Sequence, residues 1–154
     1  MTVVGYDPAT GTGDFVGDFE NTGVAKSITE GQLAAGADVI FPVAGGLFAS
    51  TAEAITESGS TTAVFLGVDK NIAVTSPEYA DLVLTSVEKR MTQAVFDVIK
   101  STEEDGFDAT AYLGTLENDG TALSQSDKLS DELLAKLDEL KASIIAGDIT
   151  ITVG

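Results

Sequence analysis

Cysteine, histidine and tryptophan are all absent from this chain of 154 residues. Without cysteine there can be no disulfide and no thiol chemistry. Without histidine, nucleophilic systems of the Ser-His and Cys-His types are excluded within this chain, and so are ordinary zinc sites. Any catalysis would therefore rest on carboxylates, lysines or tyrosines, and we expect neither a metal nor a cofactor.

Basic residues are scarce as well. The chain has 8 lysines and arginines against 25 acidic residues, which gives a formal net charge of −17. Such a field repels phosphate backbones and anionic lipid headgroups, so no binding to nucleic acid is expected. The acids are scattered, with residues 103–105 as the longest run. This distribution is typical of a solvated surface.

Long apolar runs are missing too. The longest, such as residues 39–44, are far shorter than the roughly 20 residues of a membrane-spanning helix. Residues 1–5 lack the basic and apolar regions of a signal peptide. Hydrophobic residues make up 44% of the chain and aromatic residues only 6%. We therefore expect one domain, residues 1–154, with a largely aliphatic core.

Strand-like and helix-like segments alternate along the chain. Apolar runs between turn residues predict buried strands, and amphipathic stripes with caps and terminal glycines predict helices. The predicted helices are 22–35, 47–58, 87–100 and 131–146. The predicted strands are 38–44, 63–68, 82–84, 110–116 and 149–153, with weaker patterns at 2–6 and 14–19. This alternation predicts an α/β fold with a doubly wound parallel sheet.

Ligands of open α/β sheets bind beyond the carboxyl ends of the strands. Gly45 and Gly46 follow strand 38–44 directly and would let a ligand approach the backbone of the next helix. The alternative is a tight strand-to-helix turn. Asp69 follows strand 63–68, where a carboxylate can accept hydrogen bonds from a diol. The alternative is a turn or capping residue.

Lys89 lies in the first turn of the predicted helix 87–100, where a cation opposes the helix dipole. This position indicates that a ligand oxygen or a carboxylate holds the side chain; the alternative is a lysine in solvent. Three phenylalanines, Phe15, Phe19 and Phe48, are candidates for stacking on a base or ring. The alternative is a place in the core, which is the more common role of aromatic residues at strand ends.

Several segments resemble the basic membrane protein family, which includes purine nucleoside receptor lipoproteins. They are GADVIFPVAGG at 36–46, GVD at 67–69, LTSVEK at 84–89 and YLGTLENDG at 112–120. The closing stretch 137–149 is similar to the last helix and strand of that family. The resemblance follows the same order along nearly the whole chain.

The resemblance implies a type I periplasmic-binding fold, with a nucleoside held between two α/β lobes and delivered to an ABC permease. It implies that Asp69 and Lys89 hold the ribose. It also implies that Gly45 and Gly46 approach the sugar and that Phe19 stacks on the base. Such receptors are extracytoplasmic lipoproteins and not enzymes. The alternative is a small α/β enzyme that uses Asp69 and Lys89 as an acid–base pair on a nucleoside or sugar.

Proteins of that family are about twice as long. The resemblance therefore implies that residues 1–154 are the carboxyl-terminal part of a receptor, mainly its second lobe. The first lobe, the signal and the lipid anchor would lie outside this chain. The family also continues with further glycine where residues 47–50 of this chain read LFAS. Half a cleft is expected to bind a nucleoside weakly, because specific sites usually enclose most of their ligand.

Helix 87–100 belongs, in type I binding folds, to the first lobe. Its apolar stripe of Val87, Met91, Val95 and Val98 would face water in this chain. Several exposed apolar side chains in one patch favour association. We expect this helix to dock on a second copy, forming a homodimer, rather than to fold back on its own sheet.

Overall fold

The computed structural model describes residues 2–151. A small antiparallel hairpin is followed by a four-stranded sheet of order β3-β4-β5-β6. The strands are β1 (Tyr6–Asp7), β2 (Thr12–Gly13), β3 (Val39–Ile40), β4 (Val64–Asp69), β5 (Val83–Lys89) and β6 (Thr121–Leu123). The helices are α1 (Thr22–Ala34), α2 (Phe48–Ser58), α3 (Ile72–Thr75), α4 (Met91–Asp105) and α5 (Asp131–Ala146). Short 3₁₀ helices occupy Gly45–Leu47 and Pro77–Leu82.

Strands β3, β4 and β5 are parallel, and β6 joins β5 in the antiparallel sense. The predicted α/β fold with a parallel sheet is therefore confirmed. An antiparallel edge strand on an otherwise parallel sheet is common in such folds. Because the three parallel strands point the same way, their carboxyl ends meet at one edge.

Predicted helices 22–35, 47–58 and 131–146 are confirmed to within one residue at each end. Local signals explain this success. The Ser130 hydroxyl accepts a hydrogen bond from the Leu133 amide at the start of α5. Gly147 ends the same helix with a positive φ of 81°. Such caps depend only on neighbouring residues.

The prediction for residues 82–100 was wrong. The strand continues to Lys89, and the helix begins only at Met91. Residues 83–89 pair with β4 on one side and with β6 on the other, which extends the strand. Lys89 therefore ends a strand and does not oppose a helix dipole. Val87 likewise belongs to β5 and not to the apolar stripe of the helix.

The strand predicted at 110–116 was also wrong, since this segment forms a loop. The Asn118 side chain organises that loop. Its Oδ1 accepts hydrogen bonds from the Thr115 and Gly120 amides at 2.8 and 2.9 Å, and its Nδ2 donates to the Leu113 carbonyl. These bonds replace a strand ladder. The strand of this region, β6, begins after the turn.

Residues 14–19 and 149–151 also lie outside any strand. In the first segment, Asp18 accepts hydrogen bonds from the Glu20 and Asn21 amides, which turns the chain into α1. The pKa of Asp18 is lowered because these bonds favour the charged carboxylate. The remainder of the predicted strand 149–153 lies outside the described residues.

The core lies between the parallel sheet and α2. Phe65 of β4 and Ile55 of α2 are fully buried. Phe48 stacks on Phe65 with ring centroids 6.1 Å apart and meets Tyr79 edge-on at 5.9 Å. Phe48 is thus a core residue and not a stacking surface for a ligand. The buried apolar residues are otherwise aliphatic, as expected, and the Phe48–Phe65 pair is the aromatic part of the core.

No residue of α4 is buried. Its apolar side chains are instead largely in solvent, with Met91 64% and Val95 58% exposed. One side-chain contact reaches it from the following loop, where the Tyr112 hydroxyl donates to Asp97 at 3.1 Å. Within residues 2–151, none of the helices combines the length and the apolar character needed to cross a membrane.

Candidate functional site

The candidate site is built where the parallel strands end. The chain passes from β3 to Gly45, from the end of β4 to α3, and from the end of β5 to α4. In the sheet register Asp69 lies opposite Glu88. Lys89 is the next residue, so the last residues of β4 and β5 are close neighbours.

Asp69 and Lys89 form an ion pair. The Lys89 ammonium lies 2.7 Å from Asp69 Oδ1. The side chains are 43% and 75% exposed, so the pair is accessible from solvent. Of the partners considered for Lys89, a ligand oxygen or a carboxylate, the structure shows a carboxylate, that of Asp69. An exposed pair of this kind contributes little to stability, because water and salt screen it. Its charges and hydrogen-bonding atoms remain available to a ligand.

The backbone at Asp69 adopts an unusual conformation. Its φ is 69°, and the Lys70 amide donates to the Val68 carbonyl at 2.8 Å. A hydrogen bond across a single residue with positive φ defines a strained type of γ-turn. Residues held in such conformations cluster at binding and active sites, because the surrounding structure must enforce them. The turn is a second feature that distinguishes this edge of the sheet.

Gly45 and Phe19 lie side by side at the end of β3. Gly45 has a φ of 55°, which favours glycine, and a Cβ added there would lie 3.5 Å from Phe19 Cδ1. Gly46 has open space on its side-chain position. The Phe19 ring is 72% exposed. Phe15, the other aromatic candidate in this region, instead packs edge-on against Tyr6 at 6.3 Å.

The structure thus groups the five predicted site residues in two sets, Phe19 with the glycine pair and Asp69 with Lys89. Both sets lie at strand carboxyl ends, the location that α/β folds use for ligands. Their roles as ligand contacts stay predictions. Among the described residues, no cluster of three or more acidic side chains could hold a metal ion.

Sequence reasoning missed a polar network beside this edge. The Ser124 hydroxyl donates to the Glu88 carboxylate, which also pairs with Arg90 at 3.5 Å. Thr85 donates to the Ser124 carbonyl at 2.7 Å. Ser124 lies more than 30 residues from both Glu88 and Thr85, so no local pattern marks these two contacts. A groove of about 1160 Å³ opens nearby, with Leu123 of β6 and Leu137 of α5 among its lining residues.

Another ion pair, between two residues that line this groove, lies farther along the chain. The Lys141 ammonium lies 2.7 Å from Asp119, whose φ of 54° is also positive. The hydrogen bond from Lys141 lowers the pKa of Asp119 below its ordinary value of 3.8. Since the folded pKa is the lower one, this pair adds stability above pH 3.8, which is lost as the pH falls through the folded pKa.

We expect Lys141→Ala to reduce the free energy of unfolding at pH 7 but not at the acid end. The ion pair exists only at pH values at which Asp119 is ionised in the folded protein, so the substitution removes a stabilising interaction only there. Urea unfolding from pH 7 down to pH 2.5 measures this. The two stability curves should converge below about pH 4. A constant gap at all pH values would contradict the assignment.

Comparison with known proteins identifies the architecture. No family model matches the sequence. An ABC transporter solute-binding protein from Conexibacter woesei shares the fold with a TM-score of 0.69 and 16% identity, over 88% of this chain and 44% of its own. One from Aeropyrum pernix K1 gives 0.70 and 22%, over 90% and 46%. The chain has the fold of a solute-binding protein lobe.

The same fold also occurs in a protein of another kind. A transcriptional activator of the comK gene from Bacillus halodurans matches with a TM-score of 0.74 and 17% identity, over 90% of this chain and 47% of its own. The fold therefore does not fix the function. What these proteins share with this chain is the α/β fold.

Two curated relatives extend the comparison to sequence. They are CD4+ T-cell-stimulating antigens of Listeria innocua and Listeria monocytogenes, 29% and 28% identical over 149 residues. The alignments cover 89% of this chain and 42% of each relative. The chain thus spans less than half the length of the curated relatives it matches.

Proposed function

We propose that this chain is the carboxyl-terminal part of an extracytoplasmic receptor that binds a nucleoside for an ABC importer. The ion pair of Asp69 and Lys89 at the strand ends carries the proposal. It sets a carboxylate acceptor and an ammonium donor 2.7 Å apart in solvent. Neighbouring hydroxyls of a ribose can donate to the first and accept from the second. The solute-binding fold supports a ligand at this edge.

Phe19 and the two glycines complete the proposed site. An exposed phenylalanine ring offers a face on which a purine can stack. Gly46 leaves the adjacent backbone open, so a sugar can approach it closely. A nucleoside needs both kinds of contact, an apolar face for the base and polar atoms for the sugar. The proposed ligand contacts are therefore Phe19, Gly45, Gly46, Asp69 and Lys89.

The remaining contacts would come from the rest of a longer receptor. The longer relatives support this arrangement, since the chain spans 42% of their length. In the proposed receptor, residues 1–154 form most of the second lobe, and a lipid anchor holds the protein outside the membrane next to its permease. The chain alone covers one side of the ligand. Binding by this chain should accordingly be weak.

An enzymatic role for Asp69 and Lys89 is less well supported. Enzymes tune acid–base groups mainly by removing them from water. These side chains are 43% and 75% exposed. Ligand capture needs only their charges and hydrogen bonds. We therefore propose a binding protein without catalytic activity.

Adenosine titrated to millimolar concentration into the ¹⁵N-labelled chain should shift the amide signals of Gly45, Gly46, Asp69 and Lys89. We expect a dissociation constant of about 1 mM, since half of the contacts are absent. Asp69→Asn should weaken binding at least tenfold, because a neutral amide replaces the charged carboxylate that would accept hydrogen bonds from the ribose hydroxyls. 2′-Deoxyadenosine, which lacks one hydroxyl, should bind more weakly than adenosine.

Asp119→Asn provides a matched control. Asp119 also has a positive φ and also pairs with a lysine at 2.7 Å, but it lies at the groove beside α5. Asparagine tolerates this backbone conformation at either position. If Asp119→Asn weakens adenosine as much as Asp69→Asn does, the effect is not site-specific and the proposal fails. A micromolar affinity of the wild-type chain would show that this lobe alone forms the site.

A further inference from the structure

Ser86 is a fully buried polar residue in the middle of β5. Its hydroxyl oxygen accepts a hydrogen bond from the Ile72 amide at 3.1 Å. Ile72 is the first residue of α3 and follows Asp69 by three positions. A side chain from one strand thus fixes the segment that leaves the neighbouring strand. Leaving this buried amide without a hydrogen-bond partner would lower the free energy of unfolding by about 1–3 kcal/mol.

Gly67 makes this contact possible. It is the register partner of Ser86 on β4. A Cβ at Gly67 would lie 2.3 Å from Ser86 Oγ and 2.5 Å from Ile72 Cγ1, so any side chain there would displace both. The glycine is required by close packing and not by its backbone conformation. Gly67, Ser86 and Ile72 form one clip, named here the β4–β5 clip.

The strained turn at Asp69 lies between two points of this clip. Gly67 precedes Asp69 by two residues, and Ile72 follows it by three. Between them the Lys70 amide donates to the Val68 carbonyl, and the register of β4 with β5 extends as far as Asp69. A positive φ in a non-glycine residue is unfavourable and persists only where the surroundings enforce it. The β4–β5 clip supplies that constraint on both sides of Asp69.

We infer that Ser86 and Gly67 are positioning residues, which hold Asp69 in the conformation that presents its carboxylate to Lys89 and to the solute. The inference rests on the proposed function for its effect on binding. Neither residue reaches the solute itself, because both are buried. Without the hydroxyl the turn can relax to negative φ, which redirects the carboxylate. We expect Ser86→Ala to weaken adenosine about tenfold, since polar recognition depends steeply on placement.

Nuclear magnetic resonance of the labelled chain tests this directly. A positive φ at Asp69 gives a strong nuclear Overhauser effect between its own amide and α protons. Ser86→Ala should weaken that signal, speed hydrogen exchange at the Ile72 amide and reduce the adenosine affinity. Ser86→Cys keeps a weak acceptor of similar size, so it should be intermediate. The cysteine variant also provides the test if Ser86→Ala does not fold.

Thr51→Val is the matched control. Thr51 is also buried, and its hydroxyl bonds to Thr29 at 3.1 Å between α1 and α2, away from Asp69. It should lower stability without changing the Asp69 signal or adenosine binding. An unchanged Asp69 signal in Ser86→Ala, or an equal change in Thr51→Val, overturns the inference. A changed Asp69 signal in a chain that binds no adenosine would uphold the clip and refute the nucleoside.

Discussion

Replacing Phe65 by alanine should lower the free energy of unfolding by about 3–5 kcal/mol, the range for a large aromatic side chain removed from a core. Phe65 is 0% exposed in the central strand β4. Its ring stacks on Phe48 and belongs to the cluster that contains Ile55, Ile72 and Val83. The lost side chain leaves a cavity among close-packed neighbours from α2, α3 and β5. Little relaxation can fill it.

Urea unfolding followed by circular dichroism measures this change. Phe107→Ala is the matched control, because the same side chain is removed from a position that is 82% exposed. Its effect should stay within about 0.5 kcal/mol. Since the expected loss for Phe65→Ala approaches the whole stability of a small domain, the variant should be partly unfolded at 37 °C. Equal effects of the two substitutions would show that the described core is not the actual one.

Local signals account for the part of the fold that could be predicted. Helix α5 starts at a serine whose hydroxyl caps it and ends at a left-handed glycine, and both are readable from neighbouring residues. The buried strand β4 was equally visible as an apolar run between turns. Strand β6 was not, because its three residues depend on β5 and on the loop that Asn118 organises. A strand of three residues is too short to show the alternation of apolar and polar residues, and its pairing partners in β5 lie far away in the sequence.

Ser86 illustrates the same limit at the site. Ser86 directly precedes the predicted helix 87–100, a position at which a serine commonly caps a helix. The hydroxyl does cap a helix, but that helix is α3, which begins 14 residues earlier in the chain. The chemistry of serine was predictable, and the partner was not. Lys89 is a similar case, since a ligand oxygen or a carboxylate was inferred for it from a helix position that the residue does not occupy.

Asp69 and the glycine pair were predicted from a more robust rule. Residues directly after parallel strands must lie at the same edge of the sheet, whatever the strand order. The strand predicted at 38–44 in fact ends at Ile40, and the glycine pair still follows it along the chain. The side-chain contacts at that edge, such as Phe19 beside Gly45, required the structure. Sequence therefore located the edge, and the structure supplied its geometry.

We propose that helix α4 forms a homodimer through its apolar face. Met91, Val95 and Val98 follow at helical spacing of four and three residues, with Ile99 beside them, and each is at least 43% exposed. Burying one such side chain contributes about 1.5–3 kcal/mol. In a symmetric dimer the same patch of both copies lies in the interface, so each residue of the patch is buried once in each copy.

Val95→Glu should weaken this dimer at least a hundredfold. The substitution removes the buried valine from both copies, which lowers the binding free energy by about 3 kcal/mol or more. Each 1.4 kcal/mol corresponds to about a factor of ten in the dissociation constant. Val74→Glu is the matched control, because Val74 is also an exposed helical valine, 72% in solvent, but belongs to α3. Sedimentation velocity over a range of concentrations compares the three proteins.

Salt should strengthen the wild-type dimer. Each copy carries a net charge of −17, so two copies repel each other. The screening length falls from about 10 Å at 0.1 M salt to about 3 Å at 1 M, which removes most of this repulsion while the apolar contact remains. Val95→Glu should stay monomeric at both salt concentrations. A wild-type chain that is monomeric at high concentration and high salt would rule out the α4 dimer, and α4 would then require a different polypeptide, such as the remainder of a longer receptor, to cover its apolar face.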